Sequence, residues 1–242
     1  MSDEDSGAGW FRRICALNKL SVSYQQTELL EEYAGLVLEW NKKINIISRK
    51  DEPNIWRRHI LHCASLLFTI SIQEDTKVVD LGTGGGLPGI PVRILIPTLS
   101  LTLVDSIRKK TEAVEDIVNR LGLANVKVEC ARAEELAARK GFRDEFDFVV
   151  ARSVADLKKL VEWSLPFLKS PKSNVFKEAD AQGKRFIQSP ALVAMKGGEL
   201  TNELSIARRQ KHVKDIEVID LKIEGLVENH NPNRKVVIVR FQ

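Results

Sequence analysis

The sequence predicts an α/β protein in which a mostly parallel, seven-stranded sheet with an antiparallel C-terminal edge follows an N-terminal helical segment. From Lys77 onward, short apolar strands alternate with helical stretches, and repeated strand–helix units imply a parallel sheet with helices on both faces. Before Lys77, apolar residues recur at steps of three and four, which is the spacing of amphipathic helices. We therefore expect an N-terminal helical extension, residues 1–72, packed on a larger domain formed by residues 73–242.

Two helices are predicted in the N-terminal extension. Apolar positions from Leu29 to Trp40 lie on one face of the first helix. Asp51-Glu52-Pro53 is typical of a new helix start, with Asp51 as the cap and the proline in the first turn. The apolar side chains that follow, Trp56 among them, continue one face of the second helix.

Seven segments after Lys77 have strand character. The helices between them include residues 109–121, which Gly122 ends. The last two strands are joined by a polar segment containing Asn231-Pro232-Asn233, which predicts an antiparallel pair at the sheet edge. The polar and basic segment Lys169–Pro190 is expected to be an irregular surface excursion. The predicted strands are Val78–Leu81, Leu101–Asp105, Val126–Cys130, Phe146–Ala151, Leu192–Met195, Ile216–Ile223 and Lys235–Phe241.

The composition is that of a globular protein with a sizeable core. The chain has 242 residues, of which 43% are hydrophobic and 29% charged. Since no apolar run is long enough to span a bilayer, and Arg12 and Arg13 interrupt the apolar stretch near the start, we expect a cytoplasmic protein without membrane contact. Cys15, Cys63 and Cys130 are scattered without zinc-ligand spacing, so neither disulfides nor a metal site are expected.

Charge is distributed unevenly along a chain with a net charge of +4. Between Glu39 and Arg58 there are six basic and three acidic side chains, and Lys169–Pro190 holds five basic and two acidic ones. Clustered Lys and Arg can follow a nucleic-acid backbone. Charge runs this short are also common on ordinary solvated surfaces, and the two interpretations stay open.

A glycine-rich stretch follows the first strand directly. Five glycines fall within the eight residues 82–89, behind Asp80 at the strand end. A phosphate-binding P-loop is excluded, because Ile90-Pro91 stands where that motif requires Lys and Ser or Thr. A GxGxxG pattern formed by Gly84, Gly86 and Gly89 would suit a nicotinamide dinucleotide. It is displaced from the strand end, where such a site needs its first glycine.

The frame Asp80-x-Gly82-x-Gly84-x-Gly86 begins at the strand end and suits a ligand without phosphate, such as S-adenosylmethionine. Glycines allow close approach of the backbone and leave N–H groups free. The Asp80 carboxylate can accept from an ammonium group, directly or through water. Asp105 ends the next strand and can accept both ribose hydroxyls, although it would do the same for a dinucleotide.

These residues belong to a set of motifs that resembles the bacterial glucose-inhibited division protein B family. The match includes DLGTGGGLPGIP at 80–91, LTLVDSIRKK at 101–110, FDFVVARSVADL at 146–157 and AMKG at 194–197. It extends upstream to 40–45 and 57–61 and covers roughly residues 28–240 in the expected order. The family contains S-adenosylmethionine-dependent enzymes with a Rossmann-like class I methyltransferase fold, which methylate N7 of a guanine in the 530 loop of 16S rRNA.

The resemblance implies roles for particular residues. Gly82 and Leu87 would line the donor site from the first loop, and Ala133 and Glu134 would lie by the adenine. Arg152, after the fourth strand, would stand beside the reaction centre and contact the donor. Asp80, Gly84 and Asp105 fit the general methyltransferase pattern.

The chain also departs from the family pattern. His62-Cys63 replaces the Asp-Ser that the family usually shows, which affects a polar contact of that helix. Leu87 stands where Phe is common. Lys169–Pro190 is longer than usual, and we interpret it as a tolerated loop insertion in preference to an RNA contact.

The chemistry of guanine N7 needs no general base, because N7 already carries a free lone pair, and the sequence shows no His–carboxylate pair that would demand one. Catalysis would then consist of positioning the two reactants in line. An arginine bonded to O6 and N7 together would block the reacting lone pair. We therefore expect Arg152 to contact the donor carboxylate, a phosphate or O6 alone, and His59 to be a packed helix residue.

The expected partner is 16S rRNA or a small-subunit assembly intermediate, bound by a monomer. RNA contacts are predicted for Lys42, Lys43, Arg57, Arg58 and Lys196. Trp40, Trp56 and Trp163 are expected to pack in the core, with base stacking as the alternative. The competing functions are a nicotinamide-dependent oxidoreductase, a methyltransferase acting on a small molecule or protein, and an RNA chaperone that binds the donor without catalysis.

Overall fold

The computed structural model describes residues 7–171, 179–180, 184–226 and 233–242 of the chain. Among these residues there is no helix with the length and apolar character that crossing a membrane requires. The Asn231-Pro232 part of the predicted C-terminal turn and most of the central portion of Lys169–Pro190 lie outside the described residues.

The N-terminal segment is helical, as predicted, but its second half is divided into short helices. Ser23 and Gln26 form a reciprocal capping box that starts the long helix. Asp51 was expected to cap a helix, and this prediction was wrong, because Asp51 lies inside a 3₁₀ helix that follows Ser48. The helices are α1 (Ala8–Leu17), α2 (Tyr24–Asn41), the 3₁₀ helix Arg49–Asn54, a π-helix Trp56–Ile60, α3 (Leu61–Ala64) and α4 (Leu66–Thr69).

The seven predicted strands form one mixed sheet in the order β3-β2-β1-β4-β5-β7-β6. All neighbours pair in parallel except β5 with β7 and β7 with β6, which confirms the predicted antiparallel edge. The largest boundary error concerns β6, because it starts three residues earlier than predicted, with Val213 paired to Phe241. The strands are β1 (Lys77–Leu81), β2 (Ser100–Asp105), β3 (Val126–Cys130), β4 (Phe148–Arg152), β5 (Ala191–Gly197), β6 (Val213–Asp220) and β7 (Arg234–Phe241).

Helices cover both faces of the sheet because successive strand residues point to opposite sides. Val78 of β1 belongs to an apolar core shared with the N-terminal helices, and its neighbour Val79 belongs to a separate core on the opposite face. The N-terminal segment is therefore continuous with the core of the sheet. The remaining helices are α5 (Gly89–Leu95) and α6 (Arg108–Arg120) on the first face, and α7 (Ala133–Ala137), α8 (Leu157–Ser164) and α9 (Thr201–Ala207) on the second.

The strand order reverses at β1, which leads to β2 on one side while β4 pairs on the other. In open α/β sheets, ligands bind outside the carboxyl ends of the strands at such a switch point. The glycine loop, residues 82–88, begins at this position. A ligand site is therefore expected at the carboxyl ends of β1, β2 and β4.

Within the glycine loop, Gly82, Gly84 and Gly86 have φ values of +68°, +59° and +88°. These left-handed conformations cost little only for glycine. They occur at the three positions of the frame that begins at Asp80. The GxGxxG pattern remains displaced, because β1 ends at Leu81 and its first glycine, Gly84, comes three residues later, whereas a dinucleotide site needs that glycine at the strand end.

The N-terminal segment holds the outer side of the glycine loop. The buried Tyr33 hydroxyl of α2 donates a hydrogen bond of 2.7 Å to the carbonyl of Gly85. A Cβ at Gly85 would lie 2.1 Å from Cγ2 of Ile46, so a side chain there would overlap the N-terminal segment. Gly85 is thus needed for close packing and not for its φ angle.

The described residues of Lys169–Pro190 are held by polar contacts with neighbouring segments. The backbone N–H of Ser71 donates to the carbonyl of Arg185 at 2.9 Å, and the Lys184 ammonium donates to the carbonyl of Leu67 at 2.9 Å. Arg185 also forms an ion pair of 2.5 Å with Glu217 of β6. The described residues of this segment therefore connect the end of the N-terminal segment to the edge of the sheet.

Replacing Gly85 with alanine should destabilise the fold by about 1–3 kcal/mol, because the new methyl group overpacks the contact with Ile46. Urea unfolding measures the effect, and a second substitution, Ile46→Ala, should restore part of the loss. Gly35→Ala is a matched control in α2, where a Cβ meets nothing within 4 Å. It should stabilise the chain by up to about 1 kcal/mol. Equal effects of the two glycine substitutions would contradict this explanation.

Candidate active site

A cavity of about 280 Å³ opens at the carboxyl ends of β1, β2 and β4. It lies at the switch point of the sheet, where a ligand site is expected. Four of the predicted donor-binding residues line it together: Gly82, Asp105, Ala133 and Glu134. Leu81, Val104, Ser106, Lys110, Ala131, Arg132, Ser153, Val154 and Trp163 complete the lining.

Asp80 lies beneath the glycine loop and ties its two ends together. Its Oδ2 accepts hydrogen bonds from the Thr83 hydroxyl at 2.7 Å and from the Gly89 N–H at 2.9 Å. The side chain is fully buried, and this burial raises its pKa to about 6. Oδ1 is buried without a hydrogen-bond partner among the described residues. The predicted contact with a donor ammonium stays a prediction, and Oδ1 is the atom that has capacity for it.

Asp105 connects the glycine loop to the end of β2. Its Oδ2 accepts from the Gly84 N–H at 3.0 Å, and Oδ1 accepts from the Ile107 N–H at 2.9 Å. Each carboxylate oxygen has a second lone pair. Since Asp105 also lines the cavity, these lone pairs can accept hydrogen bonds from ribose hydroxyls. Gly84 therefore acts through the N–H that orients this carboxylate.

The far end of the cavity is formed by Ala133, Glu134 and Trp163. The Trp163 indole N–H donates to Oε1 of Glu134 at 2.6 Å. Core packing was predicted for Trp163, and the half-buried ring does pack against the second apolar core, but it also borders the cavity. An aromatic side chain beside Glu134 suits a planar base such as adenine. Helical spacing alone could not distinguish this role from core packing.

Leu87 does not join these residues. It is 5% exposed and belongs to the apolar core shared with the N-terminal helices, and it is not among the residues lining the cavity. The donor contact that the family resemblance implies for Leu87 stays a prediction.

Arg152 ends β4 and points toward the N-terminal segment. Its Nη2 lies 3.1 Å from Nδ1 of His59, 93 residues earlier in the chain. A guanidinium is always a donor, so Nδ1 must be the acceptor and the imidazole proton resides on Nε2. Burial and the charge of Arg152 lower the pKa of His59 to about 4, which keeps the ring neutral.

A carboxylate stands on the other side of the His59 ring. Nε2 of His59 is 3.6 Å from Oδ2 of Asp51, whose Oδ1 is 3.3 Å from Nε of Arg58. The sequence showed no His–carboxylate pair that would demand a general base. This contact between consecutive short helices does not overturn that interpretation, because Nε2 of His59 has no hydrogen-bond partner among the described residues. Arg234 of β7 is near enough to Arg152 that burial and this like charge lower its pKa to about 10.

Four of the five side chains predicted to contact RNA lie in the N-terminal segment. The exposed ammonium of Lys43 lies 4.5 Å from the Trp40 ring centroid, and the Arg57 guanidinium lies 4.7 Å from that of Trp10. Lys42 and Arg58 are exposed in the same segment. All four remain candidates for phosphate contact.

Lys196 has an internal role that the sequence did not indicate. Its ammonium donates to Oε2 of Glu203 at 2.6 Å and to the carbonyl of Ala155 at 2.7 Å, and its side chain is 12% exposed. Glu203 also accepts from the Leu157 N–H. This network fixes the loop between β4 and α8, so the geometry does not favour the predicted RNA contact of Lys196.

The cavity fits the predicted donor, S-adenosylmethionine. Asp105 offers acceptors for a ribose, Glu134 and Trp163 border the space for a base, and Gly82 lets the backbone approach a ligand closely.

Solved methyltransferases share this fold. The chain is similar to a predicted O-methyltransferase from Agrobacterium tumefaciens, with a TM-score of 0.53 and 14% identity over 76% of this chain and 80% of that one. It is also similar to a SAM-dependent methyltransferase from Aquifex aeolicus, with a TM-score of 0.52 and 15% identity over 84% and 97% of the two chains. The fold and the cavity together define a class I S-adenosylmethionine-dependent methyltransferase.

Sequence relatives identify the family. A model described as rRNA small subunit methyltransferase G matches residues 26–214. The protein of that name from Phocaeicola vulgatus is 36% identical over 219 residues, 90% of this chain and 93% of its own length. That from Bacteroides thetaiotaomicron is 43% identical over 171 residues, 69% and 73% of the two chains. The chain belongs to the rRNA small subunit methyltransferase G family, which confirms the family predicted from the motifs.

Acidification should destabilise the chain through His59 and His62. Burial lowers the pKa of His59 from 6.5 to about 4 and lowers that of His62 well below 6.5. Below about pH 6.5 the unfolded chain therefore binds more protons at these two histidines than the folded chain does. The free energy of unfolding that they contribute above pH 6.5 is lost as the pH falls. The raised pKa of Asp80 opposes this effect, because protonating Asp80 below about pH 6 favours the folded chain.

His62→Gln should therefore lose less stability than the unsubstituted chain between about pH 7 and about pH 5, by roughly 1 kcal/mol in urea unfolding. The difference between the two pH values is the readout, so any constant cost of the substitution cancels. His212→Gln, at an exposed position, serves as the control and should keep the full pH dependence. An unchanged pH dependence in His62→Gln would contradict the assignment of a neutral, buried ring.

Proposed function

We propose that this protein transfers the methyl group of S-adenosylmethionine to N7 of a guanine in the 530 loop of 16S rRNA. The observation that carries the proposal is that Arg152 engages the lone pair of His59, so the imidazole beside Arg152 is not free to act as a general base. The Nδ1 lone pair of His59 accepts from Arg152, and Asp80 is buried under the loop. Such a site suits a nucleophile that needs no deprotonation, and guanine N7 is one. The match to the rRNA methyltransferase G family supports the substrate class.

Other groups near the reaction centre are also unsuited to remove a proton. The Tyr33 hydroxyl donates to Gly85, and burial raises its pKa well above 10. Burial raises the pKa of Cys63 to about 11. Methylation of a hydroxyl would require a base to take up the proton. The side chains present thus favour a lone-pair nucleophile over an alcohol.

The chain's own residues would position the donor. When bound, S-adenosylmethionine supplies a methyl group on a positively charged sulfur. Asp105 accepts the ribose hydroxyls, and Glu134 and Trp163 border the adenine. Catalysis then consists of holding the two reactants in line.

Arg152 would act by holding the reacting groups in a fixed orientation. Methylation turns the guanine into a cation, so a guanidinium aimed at N7 would oppose the reaction, and one bonded to N7 would block the lone pair. His59 holds Arg152 from one side, which leaves the other guanidinium N–H groups for O6, a phosphate or the donor carboxylate. Asp51 and Arg58 extend this line of contacts toward the surface.

The substrate would be 16S rRNA or a small-subunit assembly intermediate, bound by a cytoplasmic monomer. Lys42, Lys43, Arg57 and Arg58 belong to the N-terminal segment that also touches the glycine loop through Tyr33. Their charges are placed to bind phosphates next to the target base.

Transfer of a tritiated methyl group to purified 16S rRNA and to 30S subunits, followed by mapping of N7-methylguanine, tests the proposal. We expect label at a single guanine of the 530 loop. Label confined to another nucleotide, to protein or to a small molecule would overturn it. Binding of NADH in place of S-adenosylhomocysteine would restore the oxidoreductase alternative.

Arg152→Gln should reduce the rate of methyl transfer by about a hundredfold, because the reacting groups lose their fixed orientation. Arg139→Gln is a matched control, because Arg139 forms only an exposed pair with Glu129 at 3.8 Å and should leave the rate unchanged. Single-turnover kinetics on the same rRNA measures both variants, and urea unfolding checks that Arg152→Gln still folds. A rate near that of the unsubstituted chain would remove Arg152 from the site.

A further inference from the structure

The turn between α9 and β6 carries a dense group of exposed basic side chains. Five of the seven residues from 208 to 214 are Arg, Lys or His, and all five are exposed. The sequence analysis did not single out this stretch. We call it the basic turn and define it by Arg208, Arg209, Lys211, His212 and Lys214.

The basic turn is held rigidly. The side-chain amide of Gln210 donates to the carbonyl of Lys158 at 3.2 Å, which ties the turn to α8. The N–H of Val213 donates to the carbonyl of Gln210 at 3.1 Å, and the N–H of Gln242 donates to that of His212 at 3.0 Å. The cations are therefore presented on fixed backbone, so little backbone ordering entropy is lost when a ligand binds.

The positive charge of the basic turn is not neutralised within the part of the chain that the structure describes. The Arg and Lys side chains of the turn form no ion pair there, whereas neighbouring charges are paired. Lys158 lies 3.9 Å from Glu162, and Arg240 lies 2.6 Å from both Asp215 and Glu217. The acidic residue next in sequence, Asp215, is thus already engaged. The turn is left with a local excess of positive charge, which suits a polyanion.

We infer that the basic turn is a second RNA-binding surface, which holds phosphates of the substrate rRNA away from the reaction centre. The inference rests on the proposed function. Arg234, the first residue of β7, lies near Arg152. Val213, which lies between His212 and Lys214 of the basic turn, pairs with Phe241 at the opposite end of the β6–β7 pair. Eight strand residues span roughly 26 Å. RNA bound at both places must therefore extend well beyond the target nucleotide.

RNA is favoured over an anionic membrane by the apolar surface nearby. Surface-bound helices insert apolar side chains beside their cations. On α9 and the basic turn, all of which the structure describes, Ile206 is the single large apolar side chain that is exposed. One such side chain is too little for stable insertion, whereas phosphate contacts need only the charges.

A matched pair of double variants tests the inference in the full-length protein. Lys211→Gln with Lys214→Gln removes two charges at the β6 edge, and Lys127→Gln with Lys140→Gln removes two exposed charges beside the β3 edge at the opposite end of the sheet. Affinity for 16S rRNA is measured by filter binding over a range of salt concentrations. S-adenosylhomocysteine affinity, expected to be unchanged in both variants, reports on the fold.

The β6-edge variant should bind 16S rRNA roughly tenfold more weakly at about 0.1 M salt, and the slope of log K against log salt should fall by about two. The β3-edge variant should match the unsubstituted chain. Equal weakening of both variants would show a net-charge effect and overturn the inference. Unchanged rRNA binding by the β6-edge variant, together with lost binding to vesicles containing an anionic lipid, would also overturn it, in favour of a membrane.

The two proposals fail separately in this design. If the unsubstituted chain methylates rRNA and the β6-edge variant binds rRNA normally, the inference is wrong and the proposed function stands. If no chain methylates rRNA but the β6-edge variant alone binds it more weakly, the RNA surface is supported and the proposed function is wrong.

Discussion

The buried Asp80 carboxylate is the constraint on which the site depends. By accepting from Thr83 and Gly89, it brings the start of the glycine loop and the start of α5 together. A Cβ at Gly89 would lie 2.8 Å from Oδ2 of Asp80, so the contact requires glycine there. Burial penalises the charged carboxylate, as its raised pKa shows, and the two hydrogen bonds offset that cost in part. The loop geometry that shapes the donor cavity follows from this arrangement.

The N-terminal segment belongs to the site as much as the sheet does. Tyr33 and Ile46 fit against Gly85 on the outside of the loop, while His59 holds Arg152 at the carboxyl end of β4. The segment also carries the exposed cations Lys42 and Lys43. Because one apolar core joins this segment to the sheet, these cations have a fixed position relative to the donor cavity.

The sequence predicted what depends on local pattern and missed what depends on contacts between distant residues. Strand alternation was enough to locate the sheet, and the frame that begins at Asp80 located the loop in which three glycines turn out to have positive φ. The Trp163–Glu134 hydrogen bond joins residues 29 apart, and the Arg152–His59 contact joins residues 93 apart. No periodicity encodes such pairs, so their roles emerged only from the packed structure.

The donor side of the site does not by itself determine what is methylated, because one fold can serve many acceptors. The solved structure from Agrobacterium tumefaciens that shares this fold is described as a predicted O-methyltransferase. On the acceptor side of the present chain, the imidazole lone pair that could remove a proton is engaged by Arg152. A site arranged in this way is poor at activating a hydroxyl and well suited to a ring nitrogen that is already nucleophilic. On the proposed function, the preference for the acceptor would thus come from a contact that the N-terminal segment makes with the sheet, and not from the donor cavity.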